Sequence, residues 1–318
     1  MSKAPGYLRP LMTVGALAMV ACLVAACNKD TAQQKPPQPA VHTQINRVVQ
    51  LRDPKKDHGE TQRIITRDAL GRQTITIDFQ DRSTGTIQKD EAGKTISIEV
   101  HRTNGTVISG SPDESGRAIG QGTVRAPDGA LIVSRQKSGD TTEVTFYQTD
   151  GKTVRLYEKY TKDHVSRKLF SDDGATVFEE ELEHNVRVAL NLYSSGKLVY
   201  NEHVTTPNPH FGGMNMYAGT VYNLDGKATH RVTLGEGPFD NGAGRPRQID
   251  TLADDGQTVT ATANVNPWSE EKVPLGFFGD QINFIKTKRD FWITVNKERA
   301  RQIPLDSTLS PLLYDGKV

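Results

Sequence analysis

Turn signals recur along most of this chain at nearly constant spacing. From residue 62 onward one falls about every 11 residues, within the range expected between the turns of an antiparallel all-β chain. Several are Asn-Gly or Asp-Gly pairs, which favour tight hairpins because both residues tolerate positive φ. The signals are Gly71, Gly85, Gly93, Gly105, Gly116, Gly129, Gly139, Gly151, Lys162, Gly174, Asn185, Gly196 and Asn208. This spacing predicts short strands joined in sequence order.

Between the turns, apolar residues alternate with polar ones. Period-two alternation in segments rich in Val, Ile, Thr, Tyr and Phe is typical of strands with one buried face. The alternating sets are Ile75, Ile77 and Phe79; Ile96, Ile98 and Val100; Val144 and Phe146; and Val186, Val188, Leu190 and Leu192. No stretch of comparable length after residue 45 has convincing helical spacing. We therefore predict an all-β fold, an antiparallel up-and-down meander of roughly a dozen strands.

The turn sequences also repeat with a longer period, about twice the spacing between turns. The motif Asp-x-x-Gly-Arg/Lys starts at Asp68, Asp90 and Asp113, at intervals of 22 and 23 residues, so one hairpin is the predicted unit. Over residues 60–205 the chain resembles the bacterial YD (Rhs-type) and MORN-like hairpin repeats. The tyrosine that precedes the YD aspartate is absent, so the resemblance implies an architecture and no activity. Such a meander closes on itself, folds over as a sandwich or extends as an open sheet.

The N-terminus indicates where the protein resides. A basic region is followed by an uncharged run and by Leu23-Val24-Ala25-Ala26-Cys27. This arrangement resembles a bacterial lipoprotein signal peptide of residues 1–26, which implies cleavage after Ala26 and palmitate-type acyl chains on Cys27. Two alternatives stay open: lipidation at Cys22, and an uncleaved N-terminal anchor helix.

The residue after Cys27 bears on which membrane holds the chain. In the lipoprotein family, Asp at that position favours the inner membrane, and Asn28 stands there instead. The resemblance therefore implies a cell-membrane lipoprotein in the outer membrane, with the mature domain facing the periplasm or the cell surface.

We interpret residues 27–61 as the lipidated cysteine followed by a disordered tether and lead-in. Gln, Lys and Pro dominate as far as Gln44, and such a segment cannot bury enough apolar surface to offset its ordering entropy. Loss of Lys3 and Arg9 with the signal peptide lowers the formal charge from +1 to about −1, so we predict no attraction to nucleic acid. Because lipid would occupy Cys27, we predict no disulfide, no cysteine-bound metal and no cofactor.

The spacing loosens after the repeat domain, residues 62–207. We predict that residues 208–318 form a C-terminal β cap, or a small second β domain, with long loops. Trp268 and Trp292 could stack on sugar rings or pack in a core. Arg245 and Arg247 lie in a glycine-rich loop and could contact an acidic partner. Loops and aromatic residues on a rigid scaffold are suitable binding elements.

Candidate catalytic groups are sparse. His203, His210 and His230 match no metal-ligand spacing, and we interpret them as solvated loop histidines. Glu179, Glu180 and Glu181 alternate across a strand, so only Glu179 and Glu181 could form an acid/base pair; we interpret the stretch as a charged solvent face. The catalytic residues, if any, stay unknown.

These features favour a lipid-anchored β-repeat protein of the cell envelope. The leading hypothesis is a non-enzymatic interaction or scaffold module that presents loops or a sheet edge to an envelope protein or glycan. Two alternatives remain: an envelope glycan or peptidoglycan hydrolase, and a periplasmic carrier of an apolar ligand.

Overall fold

The computed structural model describes residues 46–184, 186–206, 216–235, 245–264, 297, 301 and 305–313. Every described residue belongs to one compact unit, Thr43–Val318. Cys27 and the first part of the predicted tether, residues 28–45, lie outside the described residues.

The described residues form an antiparallel sheet of 18 strands, each 6 to 10 residues long. Strands that are neighbours in sequence pair with one another, as in a meander, so that among the described strands β1 pairs only with β2 and β18 only with β17. The strands are β1 (Asn46–Leu51), β2 (Glu60–Arg67), β3 (Gln73–Phe79), β4 (Thr84–Lys89), β5 (Thr95–His101), β6 (Val107–Pro112), β7 (Ile119–Arg125), β8 (Leu131–Ser138), β9 (Thr141–Tyr147), β10 (Val154–Tyr160), β11 (His164–Phe170), β12 (Thr176–Glu183), β13 (Val186–Ser194), β14 (Lys197–Thr206), β15 (Met216–Tyr222), β16 (Ala228–Gly235), β17 (Arg245–Leu252) and β18 (Val259–Asn264).

The all-β meander predicted from the turn spacing is confirmed. Gly105 and Gly129, which follow Asn104 and Asp128, have φ values of 83° and 87°, the left-handed conformation that glycine adopts at little cost. The turn assigned to Gly85 is wrong, because Gly85 lies inside β4. The chain reverses before it instead, where Arg82 has a φ of 66°.

The sheet is longer than the sequence indicates at both ends. β1 lies within the segment interpreted as a tether and lead-in, so the first strand among the described residues begins at Asn46. Hydrogen bonding also continues past the predicted domain boundary at residue 207, since β14 pairs with β15. The predicted repeat domain contains the 13 strands β2–β14, in agreement with the predicted dozen or so, and β1 and β15–β18 extend the same sheet to 18 strands.

One face of the sheet carries the hydrophobic core. Ile75, Ile87 and Ile98 lie directly opposite one another on β3, β4 and β5, and all three are buried. Val144 and Phe146 continue the same face on β9. Burial of each such side chain contributes about 1.5–3 kcal/mol, so the row stabilises the sheet along its length. The predicted alternation is correct at these positions.

A helix, α1 (residues 305–313), corrects the prediction of a purely β C-terminal cap. Its residues Leu305, Leu309 and Leu312 are buried in the core of the sheet. Their spacing of four and three residues places them on one helical face, but nine residues are too few for a clear periodic signal. Of the strand-like runs that the sequence predicts for the cap, residues 219–222, 228–234 and 257–263 overlap β15, β16 and β18, whereas residues 281–286 and 291–296 lie outside the described residues.

A β-bulge changes which residues of β13 face the core. Glu181 pairs with Ala189 but Leu182 pairs with Arg187, so Val188 is the extra residue. Beyond the bulge, the phase of the alternation shifts by one residue. Arg187 is therefore buried, while Val188, which the sequence places in the apolar row, is only partly buried.

We expect acid to weaken the hairpin turns. In the β17–β18 turn, the Thr258 hydroxyl and the backbone N–H groups of Thr258 and Gln257 donate to the Asp255 carboxylate, and these bonds lower its pKa to about 2. A depressed folded-state pKa gives stability above the unfolded pKa of about 4 that is lost as the pH falls toward 2. Asp255→Asn should therefore lower the thermal midpoint at pH 7 and leave it nearly unchanged at pH 2. An equal effect at both pH values would contradict this account.

Candidate interaction surfaces

The edge strand β1 is fully exposed. All six of its residues are solvent-accessible, and Val48, Val49 and Leu51 are 51%, 52% and 84% exposed. β1 pairs with β2 on one side, and among the described residues no strand pairs with its other side. This is an apolar sheet edge.

One hydrogen bond shows which backbone groups of β1 point toward β2 and which point away from it. The backbone N–H of Arg52 donates to the Thr61 oxygen at 3.0 Å, so position 52 points toward β2. Hydrogen-bonding groups alternate along an antiparallel strand, so those of Val48 also point toward β2. Those of Arg47, Val49 and Leu51 point toward the open side.

Natural sheets usually protect such an edge with charges, proline or a bulge. Within β1, Arg47 is the only charged residue, there is no proline, and the pairing with β2 is regular. An open edge with apolar side chains is a template for strand addition by another chain. Sequence reasoning missed this site, although the adjacent valines of Asn-Arg-Val-Val-Gln-Leu carry a strand signal.

A ladder of buried charges crosses the core face of β10, β11 and β12. Arg167 donates from Nε to Glu158 Oε1 at 2.8 Å and from Nη1 to Glu180 Oε2 at 2.9 Å. All three side chains are buried, and Tyr160 donates its hydroxyl to the second oxygen of Glu158. The three charged residues lie opposite one another in register, so the sheet itself sets the geometry.

A second buried charge pair lies on β13 and β14. Arg187 Nε is 3.3 Å from Glu202 Oε1, and its guanidinium lies 5.5 Å from the centre of the Tyr217 ring. The Tyr200 hydroxyl donates to Glu202 Oε2 at 2.7 Å. Burial and the Glu202 carboxylate raise the pKa of Tyr200 well above its usual value. Glu202 is thus held by hydrogen bonding and by charge.

The three consecutive glutamates of β12 have different environments. Glu179 lies on the opposite face from Glu180 and binds Lys168 Nζ at 2.8 Å and the Tyr193 hydroxyl at 2.7 Å. Burial and Glu179 raise the pKa of Tyr193 to about 12. Glu181 is exposed. The interpretation as a solvent face is therefore correct for Glu181, whereas Glu180 lies on the opposite, core face of β12, where Arg167 compensates its buried charge.

α1 packs across the core face of β5–β8. Gly110 and Gly122 lie opposite each other on β6 and β7, and Leu309 and Leu305 lie over them. A cleft of about 530 Å³ lies between α1 and the ends of β3 and β5. Its apolar residues are Phe79, Val100, Pro311 and Leu312, and its charged or titratable residues are His58, Asp81 and Arg102.

Most of the binding residues predicted from the sequence lie outside the described residues. These are Ala26, Cys27, Trp268 and Trp292. Arg245 begins β17, but the structure describes only its backbone. Arg247 is half-buried and packs over Gly235, where a Cβ would overlap its Nε. It is therefore a packing residue of the β16–β17 pair rather than part of an open loop.

The structure places the candidate histidines apart. His203 is exposed and pairs with Ala218, whereas His230 pairs with the buried Val221, so the two lie on opposite faces. Burial lowers the pKa of His230, which is not the solvated loop residue that the sequence suggests. His210 lies outside the described residues. Over the described ranges, no group of three or more His, Cys, Asp or Glu side chains has an arrangement that could hold a metal ion.

Two further observations concern relatives and the membrane. No family model matches this chain, and no curated protein matches it. None of the helical segments within the described residues combines the length and the hydropathy of a membrane-spanning helix.

Proposed function

We propose that this protein is a lipid-anchored interaction module of the cell envelope, non-enzymatic in its action, that binds an extended segment of an envelope protein along the β1 edge. The observation that carries the proposal is the fully exposed apolar edge of β1. A bound segment would form main-chain hydrogen bonds with Val49 and Leu51, while the side chains of the edge provide apolar contact.

The anchor belongs to the same proposal. β1 is the first of the described strands, and residues 28–45 separate it from Cys27. At roughly 3.3–3.6 Å per residue, an extended tether of this length reaches about 60 Å. An outer-membrane lipid on Cys27 would therefore keep the β1 edge within reach of proteins at the same membrane surface.

The first test of the edge is Val49→Pro. Proline removes the N–H that points toward the open side and leaves the bonds between β1 and β2 in place. With a photo-crosslinking amino acid at Leu51, we expect wild-type protein in native membranes to give a discrete crosslinked partner, and Val49→Pro to reduce the yield at least tenfold.

Two control variants separate loss of binding from loss of folding. Val49→Thr keeps the outward N–H and should retain the crosslink. Val48→Pro removes an N–H that points toward β2 and should lower the thermal midpoint, which Val49→Pro should not do. Equal crosslinking by Val49→Pro and wild type would exclude strand addition at this edge.

The anchor is tested separately with Cys27→Ala. Without the thiol there is no site for the diacylglycerol, and stable anchoring requires more than one acyl chain. We expect the variant to move from the detergent phase to the aqueous phase in Triton X-114 partitioning, with Cys22→Ala as the matched control. Unchanged partitioning of Cys27→Ala would refute lipidation at this residue, whatever the outcome at β1.

A further inference from the structure

The groove that holds α1 is shaped for leucine side chains. A Cβ on Gly122 would lie 2.9 Å from Leu305 Cδ1, and a Cβ on Gly110 would lie 2.8 Å from Leu309 Cδ1. Real Cβ contacts this short are essentially absent, so a larger residue at either position would force Leu305 or Leu309 to shift away from the sheet. Leu305 and Leu309, one helical turn apart, are completely buried there.

Two arginines lie beside the groove that holds Leu305 and Leu309. Arg135 on β8 forms an ion pair with Asp306 at the beginning of α1. Arg102, just after β5, donates from Nη2 to Thr308 Oγ1 at 2.7 Å. The groove therefore combines two glycine slots with a cation at each side. This combination fits a helix that has leucines at positions i, i+4 and i+7 and an acidic residue at i+1.

The helix in the groove has features of an exchangeable occupant. A helical segment as short as the nine described residues of α1 has little stability of its own, so its conformation depends on packing against the groove. Along the side of α1 that carries Thr308, Pro311 and Leu312, the groove borders the cleft of about 530 Å³, whose apolar lining includes Phe79 and Val100. An incoming segment can make its first contacts in this cleft while α1 is still bound.

We propose that the groove formed by β5–β8 is a receptor for an amphipathic helix of a partner protein and that α1 is its resting, autoinhibitory occupant. The partner helix carries leucines with the spacing of Leu305, Leu309 and Leu312 and an acidic residue in place of Asp306. Displacement of α1 exposes the groove. This site is separate from the β1 edge and does not depend on strand addition there.

The test uses the full chain and a fluorescent peptide with the sequence of residues 302–316. Asp306→Lys in the protein removes the ion pair with Arg135 and places two cations together, which weakens the bound α1. The peptide carries its own Asp306, which can form the ion pair with Arg135 of the protein. We expect fluorescence anisotropy to show at least tenfold tighter binding of the peptide to Asp306→Lys protein than to wild type.

A charge exchange provides the matched control. The double variant Arg135→Glu/Asp306→Lys restores an ion pair within the chain, so its affinity for the wild-type peptide should return to the low wild-type level. Arg135→Glu alone should instead prefer a peptide carrying Asp306→Lys, which provides an independent test if the Asp306→Lys protein does not fold.

Blocking the groove distinguishes specific from nonspecific binding. Gly122→Leu in the Asp306→Lys background fills the slot for Leu305, and we expect it to abolish peptide binding while the circular dichroism of the sheet is unchanged. A peptide with Leu305→Ala and Leu309→Ala should also fail to bind. Binding that survives either change, or no gain in affinity for both opened variants, would overturn the proposal. Dimerisation of Asp306→Lys that Gly122→Leu prevents would also overturn it, in favour of helix exchange between two copies of this chain.

Discussion

Replacing Arg167 by methionine is expected to lower the free energy of unfolding by about 3–5 kcal/mol, because it leaves Glu158 and Glu180 buried without a compensating charge. Methionine keeps much of the volume of the arginine side chain, so the loss reports on charge rather than on a cavity. The measurement is urea unfolding followed by circular dichroism.

Two further variants isolate the cause of this loss. The triple variant Glu158→Gln/Arg167→Met/Glu180→Gln removes every charge of the ladder, and glutamine can still accept the Tyr160 hydroxyl bond. We expect it to recover most of the lost stability, because uncharged replacement of a buried ion network is often close to neutral. Lys168→Met removes a more exposed ion pair from the neighbouring position of β11 and should cost at most about 1 kcal/mol. A similar cost for Arg167→Met and Lys168→Met would contradict the importance of burial.

The second large effect is expected at Gly219 on β15. A Cβ at this position would overlap the Tyr200 hydroxyl and would lie 2.7 Å from Tyr200 Cζ. Tyr200 is completely buried and its hydroxyl binds Glu202, so the ring has little freedom to move. We expect Gly219→Ala to lower the free energy of unfolding by about 1–3 kcal/mol, the usual cost of overpacking a core.

A double-mutant cycle tests this steric explanation. Tyr200→Phe alone removes the hydrogen bond to the Glu202 carboxylate and should cost about 1.5–3 kcal/mol. In the Gly219→Ala background it also removes the overlapping oxygen, so its cost should be smaller or reversed in sign. Thr220→Ala, at the next position of β15, serves as the control and should change stability by about 0.5 kcal/mol or less. Strictly additive effects of Gly219→Ala and Tyr200→Phe would show that the two side chains do not interfere.

The hairpin pattern could be predicted because its causes are local. Asn104-Gly105 and Asp128-Gly129 form turns on account of their own backbone preferences, and the segments between turns alternate because one face of each strand is buried. The same reasoning failed at Gly85 and at Val188. A glycine inside a strand resembles a turn signal, and a bulge changes the alternation without a sequence signature.

The candidate interaction surfaces were harder to predict than the strands. The exposure of Val49 and Leu51 depends on β1 being an edge strand of the sheet, which no local pattern reveals. Glu158 follows Leu156 at an inward-facing position of β10, so a charged residue in the apolar row was the available signal of a buried ladder. That signal can be interpreted only once Arg167 is known to lie opposite Glu158 on β11.

The sequence by itself therefore determined the class of fold, the order of the strands and the expectation of a lipid anchor at Cys27. Only the tertiary structure decided which charges are buried, where the sheet ends and where α1 packs. The contacts between Leu305 and Gly122 and between Leu309 and Gly110 join residues far apart in the chain. Their fit depends on distances across the folded sheet, whereas turns and alternation depend on neighbours along the backbone.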